Sequence, residues 1–282
     1  MESCYYVPVD APPTDGLDSE LVGYEYFEPT DATLSVWTPT MQHGGPPTAL
    51  MVRSLERCAP DPAQHITRVT TEILGPIGLG RNRVRAHVVR PGRQISLVSS
   101  ELDVMQPDGS FRTAGRSVAW RIRTGDTSRI ERTPAALTPG PDDLPTVLGI
   151  AGDSGSGVAW GTLGFIGTCE TAAAPGSTGE TSALWIRPSI PLVGGEQTTD
   201  LESIFAVIDV ANGLGTRLDP EVWTWMNTDT TVHLTRIPRG PWLGIDSDMH
   251  RGPDGFGATF AELYDATGSI GRSAQTVLLA AR

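Results

Sequence analysis

The sequence predicts an α+β protein made of two tandem copies of one unit, each an antiparallel sheet wrapped around a central helix. In the first half, a helix-like stretch is followed by strand-like runs joined by short turns, and the same order recurs in the second half. No helical pattern separates successive strands within a copy, which favours antiparallel pairing. Neither sheet can cover its helix alone. We therefore expect the two copies to pack side by side.

The first copy follows an irregular N-terminal segment with one or two short predicted strands, at 24–27 and 32–37. A helix is predicted over 46–58, because the tandem prolines at its start favour a first helical turn, where a missing amide hydrogen is not needed. The strand, turn and closing strand that follow are predicted at 69–74, 107–110 and 115–120.

The second copy opens with Thr199 and Glu202, whose spacing is typical of a capping box. Apolar residues then recur at helical spacing and predict a largely buried helix over 201–214. The following strand, turn and closing strand are predicted at 230–234, 266–269 and 271–276.

Between the copies, residues 124–157 are rich in Pro, Gly, Asp, Ser and Thr, the composition of a connecting segment. We expect an N-terminal domain over 1–130, a linker over 131–157 and a C-terminal domain over 158–282. A second patch of small residues, 172–182, is predicted to be a surface loop.

Composition excludes several classes of function. The net charge of −12 disfavours nucleic acid as a partner, and the absence of lysine excludes Schiff-base catalysis and a Walker phosphate loop. The scattered cysteines Cys4, Cys58 and Cys169 predict free thiols rather than disulfides or a zinc site. No apolar run reaches the ~18 residues of a membrane span. The acidic N-terminal segment lacks the basic start of a secretion signal, so a cytoplasmic location is expected.

Three motifs are rejected as sites. Residues 152–155 (GDSG) resemble a serine-protease nucleophile segment, but Ser156 replaces the required glycine and the segment lies in the linker. Gly78 and Gly80 indicate a turn rather than a dinucleotide loop. No pair of histidines has metal-ligand spacing, and most are predicted to be surface or edge residues. The histidines are His43, His65, His87, His233 and His250.

Asp209 is the strongest candidate for chemistry. It lies among apolar residues of the second helix, where a carboxylate is costly unless it is bonded, and burial raises a carboxyl pKa toward the range of a general base. Partial exposure, or pairing with an arginine, is the alternative. Gln275 stands mid-strand where the first copy has Ala119, and Asn227 precedes a strand, so the three could hold a water and remove its proton. Each amide could equally be an ordinary hydrogen-bonded strand residue.

Residues 43–50 (HGGPPTAL), 227–234 (NTDTTVHL) and 272–275 (RSAQ) together resemble the double-hotdog acyl-CoA thioesterases of the thioesterase II type, over about 23–282. The resemblance implies two fused hotdog domains and assigns the chemistry to Asp209, Asn227 and Gln275. Asn227 departs from the family, which has a hydroxyl there. Thr228 offers a hydroxyl one residue on, but it should point to the opposite face of a strand.

The resemblance implies hydrolysis of acyl-CoA to a fatty acid and CoA by Asp209-activated water, without a metal or organic cofactor. Gln275 and Asn227 would position the water, and amides near Gly44 and Gly45 would stabilise the oxyanion. A homodimer or larger homo-oligomer is implied as well. The departure at Asn227 keeps open a catalytically silent acyl-CoA or acyl-carrier binding protein. A hotdog hydratase is a third alternative, but its Asp–His pair has no visible match, and no acid is expected at the matching face of the first-copy helix.

Overall fold

In the computed structural model, described over residues 3–11, 23–150, 160–174 and 179–282, the chain forms one antiparallel sheet of fourteen strands with three α-helices on it. The strands are β1 (Tyr6–Val9), β2 (Glu25–Pro29), β3 (Gln64–Ile73), β4 (Asn82–Arg90), β5 (Ile95–Met105), β6 (Phe111–Arg123), β7 (Val147–Leu148), β8 (Cys169–Ala173), β9 (Leu184–Pro188), β10 (Trp223–Asn227), β11 (Asp229–Leu234), β12 (Leu243–Arg251), β13 (Phe256–Asp265) and β14 (Gly268–Ala281). The helices are α1 (Gly45–Arg57), α2 (Asp200–Val207) and α3 (Ala211–Leu214).

The order across the sheet is β1-β2-β4-β5-β6-β3-β11-β14-β13-β12-β9-β8-β7, with β10 added beside β14. The two copies meet at β3 and β11, where Thr70 pairs with Thr231 and their hydroxyl oxygens lie 3.1 Å apart. Because this junction is a continuous ladder, each copy covers the sheet edge that the other would expose. The short strand β7 lies inside the predicted linker and pairs with β8, and the boundary at 131–157 stays a prediction.

Helix α1 packs on β4, β5 and β6 of its own copy and against α2 of the other copy. Pro46 and Pro47 occupy its first turn, as the sequence predicts. At its end, the guanidinium of Arg121 donates to the carbonyls of Leu55, Cys58 and Ala59, which have no helical partners. The helix is buried over residues 45–55, so it forms the centre of the core.

Arg53, on α1, forms ion pairs that link the two copies. Its side chain is almost fully buried, and it forms ion pairs with Glu25 on β2 and with Glu196 in the loop before α2. A buried cation that loses its partners is strongly destabilising. This pairing therefore holds the start of the second helix against the first.

The structure corrects three predicted elements. Residues 32–37 do not form a strand: a 3-10 turn, Asp31–Thr33, begins there because the Thr30 hydroxyl caps the Ala32 amide. The predicted helix over 201–214 is divided into α2, a 3-10 turn (Ile208–Val210) and α3. In the predicted surface loop 172–182, Ala172 is buried against aromatic rings. The rejected 152–155 segment lies outside the described residues.

Thr199 and Glu202 form the predicted capping box of α2. All three cysteines are free thiols. Within the described ranges, no cluster of three or more potential metal ligands occurs, and no helix is long and apolar enough to cross a membrane.

Candidate active site

Asp209 lies at the boundary between the two copies, on the 3-10 turn that separates α2 from α3. Its side chain is 11% exposed. One carboxylate oxygen, Oδ1, accepts a hydrogen bond of 2.6 Å from the amide of Asn227, and the other, Oδ2, lies 3.4 Å from Nδ1 of His43. The site thus combines a carboxylate and an amide of the second copy with an imidazole of the first.

Two glycines allow this close approach. A Cβ atom on Gly44 would lie 2.7 Å from Oδ2 of Asp209, and one on Gly45 would lie 1.9 Å from the backbone oxygen of Ala206. Any side chain at either position would push the two helices apart. The start of α1, which carries the positive end of the helix dipole, is therefore held beside the Asp209 carboxylate.

Few amide hydrogens are available at this helix start. Pro46 and Pro47 have none, and the Gly45 amide donates to Nδ1 of His43 at 3.3 Å. The Gly44 amide has no partner among the described residues. Of the two amides in the oxyanion prediction, Gly44 is the one left to bind a ligand.

His43 is the residue beside Asp209 that sequence reasoning does not single out. Most histidines are at least partly exposed, as predicted, but His43 is buried and packs against the Phe165 ring, with centroids 4.8 Å apart. Burial lowers the pKa of His43, and the nearby charge of Asp209 opposes this only in part. The imidazole is therefore neutral at neutral pH. Its position directly before Gly44 was the one available signal.

The alternation of side chains along a strand separates Asn227 from Thr228. Asn227 ends β10, is half-buried and bonds to Asp209. Thr228 occupies the break between β10 and β11, where it is exposed and its hydroxyl contacts Asp229 at 3.4 Å. The structure brings the amide to Asp209 and directs the neighbouring hydroxyl away.

Gln275 lies in the middle of β14 and is 1% exposed. Its Nε2 donates to the Thr230 hydroxyl at 3.0 Å, whereas its buried Oε1 has no hydrogen-bond partner in the described part of the chain. A buried acceptor left unpaired costs about 1–3 kcal/mol, so such an atom calls for a water or a ligand. No bond joins Gln275 directly to Asp209 or Asn227 within the described residues.

The polar group around Gln275 is specific to the second copy. Gln275 pairs across the sheet with Thr259, whose hydroxyl donates to Asn212 on α3, one helical turn after Asp209. In the first copy, Ala119 pairs with Val69 and Val98, and all three are fully buried and apolar.

Glu56 corrects the expectation that the first-copy helix carries no acid at the matching face. Its Oε2 accepts a hydrogen bond of 2.9 Å from Thr199, the N-cap of α2, much as Asp209 lies beside the N-cap of α1. Glu56 lines a cavity of about 310 Å³ together with Ile66 and Arg121. Burial is the main cause that raises the pKa of Glu56 to about 7.

This first-copy cavity lacks both amides of the second-copy site. In the first copy Ile66 pairs with Arg121, and in the second copy Asn227 pairs with Val277 at the same place in the sheet. Ile66 therefore stands where the second copy has the amide that bonds Asp209. Ala119 stands in place of Gln275. The first copy therefore keeps an acid but has no amide at either of the two matched positions.

Comparison with known families gives the class of protein. The acyl-CoA thioesterase N-terminal domain matches residues 33–122, and the acyl-CoA thioesterase C-terminal domain matches residues 141–279. The two matches follow each other along most of the chain. The chain belongs to this acyl-CoA thioesterase family, as the sequence motifs predicted.

Solved structures confirm the fold. A protein with a hotdog fold from Alicyclobacillus acidocaldarius is 15% identical, with a TM-score of 0.67 over 95% of this chain and 96% of that one. An acyl-CoA thioesterase II, TesB2, from Mycobacterium marinum is 15% identical, with a TM-score of 0.64 over 93% and 94%. A putative thioesterase II from Thermobifida fusca is 20% identical, with a TM-score of 0.61 over 92% of both chains. A search of curated proteins gave no significant match. The predicted α+β fold of two tandem hotdog domains is confirmed.

Proposed function

We propose that this protein hydrolyses an acyl-CoA thioester to a carboxylic acid and free CoA, with Asp209 as general base. One observation carries the proposal: a carboxylate only 11% exposed, fixed by Asn227 and placed at the start of α1, lies in the copy whose Gln275 presents an unpaired buried oxygen. A carboxylate in such surroundings is suited to accept a proton from water.

In the proposed reaction, a water molecule donates one hydrogen to Asp209 and the other to Oε1 of Gln275. As its oxygen attacks the thioester carbonyl, the first proton passes to Asp209. The negative charge on the carbonyl oxygen is then stabilised by the Gly44 amide and the helix dipole. Collapse of the intermediate breaks the carbon–sulfur bond, and the CoA thiolate takes up the proton.

The contacts of Asn227 support a different task from that of a water ligand. Its Nδ2 donates to Oδ1 of Asp209, so it holds the carboxylate in one orientation and leaves Oδ2 toward His43 and Gly44. The amide that stands where the family has a hydroxyl supports the alternative of a catalytically silent acyl-CoA or acyl-carrier binding protein.

A second candidate activity is hydration of an unsaturated acyl thioester. Such chemistry requires an Asp–His pair, and His43 lies 3.4 Å from Asp209. This approach gives the second activity a candidate pair that the sequence alone did not show. Hydration consumes the double bond and leaves the thioester intact, whereas hydrolysis releases a thiol.

The test is turnover of a panel of acyl-CoAs that includes saturated and 2-enoyl substrates. Thiol detection measures hydrolysis, and loss of the enoyl absorbance measures hydration. Hydrolysis of saturated acyl-CoA that is lost in Asp209→Asn supports the proposal. Hydration without thiol release would support the second candidate, and tight binding without either reaction would support the silent binding protein.

We also propose association into homodimers or larger homo-oligomers. The side chains of Phe256, Phe260 and Leu278 lie roughly half-exposed on strands β13 and β14, and an exposed apolar group of this kind commonly marks an interface. Sedimentation that gives only a monomer at micromolar concentration would contradict this.

A further inference from the structure

An apolar cluster adjoins the candidate active site along two strands. Trp225 lies two residues before Asn227 on β10, and Val277 lies two residues after Gln275 on β14. Residues two apart on a strand share a face, so both side chains point to the same side as the site residues. Val277 pairs directly with Asn227, which places the cluster next to Asp209.

Aromatic rings fill this cluster. Trp225 is 7% exposed and meets the ring of Trp37 edge to face, with centroids 5.0 Å apart. Trp37 comes from the loop of the first copy that leads to His43. Met249, Val277, Leu218 and Leu279 complete the cluster.

The same space is open in the first copy. Because Ile66 and Arg121 match Asn227 and Val277, the residue that matches Trp225 is Gln64. Gln64, Ile66 and Arg121 line the cavity of about 310 Å³, a volume at the lower limit of small-molecule pockets. In the second copy the indole of Trp225 occupies the corresponding position.

We propose that Trp225 and Trp37 close the acyl end of the active site, so that the protein acts on short acyl groups such as acetyl to butyryl and rejects long ones. This inference rests on the proposed function. An acyl chain is the apolar arm of the substrate and takes the apolar side of Asp209. The other side carries the buried polar side chains of Thr230, Thr259 and Asn212, which bond within the protein and offer no apolar surface to a hydrocarbon.

The experiment compares kcat/KM for butyryl-CoA and dodecanoyl-CoA in Trp225→Leu, Trp37→Ala and the parent. Each methylene that a pocket newly admits contributes roughly 10–200-fold of discrimination, so the dodecanoyl-to-butyryl ratio should rise at least about tenfold in Trp225→Leu. Trp37→Ala should shift the ratio in the same direction. Met226→Ala is the matched control, because Met226 lies on the opposite face of the same strand and is 45% exposed. Its ratio should equal that of the parent.

Trp225 is large and buried, so a melting temperature accompanies each variant, and Trp37→Ala provides the test if Trp225→Leu does not fold. Unchanged ratios in folded variants would overturn the inference, as would a parent that already prefers dodecanoyl-CoA. If the parent hydrolyses no acyl-CoA, the proposed function fails. The pocket is then tested by calorimetric binding of butyl- and dodecyl-CoA thioethers, in which Trp225→Leu should gain affinity for the longer ligand alone, and equal affinities would overturn it.

Discussion

Replacing Asp209 with asparagine removes the proposed proton acceptor while keeping the shape of the side chain. The structure provides a place for each atom of the new amide. Its oxygen can accept from Nδ2 of Asn227, as Oδ1 does at 2.6 Å, and its nitrogen can face Nδ1 of His43, which lies 3.4 Å from Oδ2. Because no donor is forced against another donor, the fold should tolerate the change.

The expected loss of turnover follows from the role of a general base. Such a base contributes roughly 10²–10⁴-fold, which corresponds to about 2.7–5.4 kcal/mol of transition-state stabilisation. The melting temperature should stay constant or rise, because a carboxylate no longer needs to be buried beside an imidazole. Thiol release from an acyl-CoA gives the rate, and a thermal melt confirms folding.

Asp248→Asn is the matched control, since Asp248 is a partly exposed acid on β12 whose ion pair with His250 lies on the surface. It should retain parental turnover. Gln275→Ala should slow turnover through loss of the water-orienting oxygen, with KM changed less than kcat. Near-parental turnover in folded Asp209→Asn would refute the mechanism but not the fold.

Three further predictions follow from packing, titration and the junction of the copies. Gly45→Ala should cost about 1–3 kcal/mol or more, because its Cβ would lie 1.9 Å from a backbone oxygen; a melting temperature equal to that of the parent would contradict this. The pKa of Glu56 is raised from 4.5 to about 7, so the folded state binds the extra proton and the unfolding free energy should fall by about 1–3 kcal/mol as pH rises from 4.5 to 7. Denaturant titrations should show this slope flattened in Glu56→Gln, and an equal slope would refute it. Residues 158–282 expressed alone should be insoluble or molten, because β11 loses its partner β3; a stable, monomeric product would argue against mutual dependence.

Local chemistry made much of the fold predictable from the sequence. Tandem prolines determine where α1 begins, and Thr199 with Glu202 determines where α2 begins, so both starts fall within a residue of the prediction. The strand patterns and the repeated order of elements predicted two copies, each with an antiparallel sheet. The strand predicted at 32–37 was wrong because Thr30, two residues before it, caps a 3-10 turn there.

The site was less predictable, because it depends on how α1 packs against α2. The one signal at His43 was its position directly before Gly44, and its contact with Asp209, 166 positions later in the chain, exists only once the helices have docked. The same docking places Glu56 beside Thr199. Sequence patterns predict which faces are apolar, but they do not predict which polar side chains meet across the boundary between two copies.

Comparing Asp209 with Glu56 indicates which features make one of two related sites suited to the proposed catalysis. Both acids lie beside the N-cap of the opposite helix, and Glu56 has a pKa near 7, which by itself would favour it as a base. The residues at the two matched positions do not favour Glu56 as a base, because Ile66 and Ala119 offer no hydrogen bond to a carboxylate or a water. Asp209 has Asn227 to fix its orientation, and Gln275 lies in the same copy with an unpaired oxygen. In the proposed mechanism, the orientation of the acid and its water, rather than the presence of an acid, therefore favours the second copy.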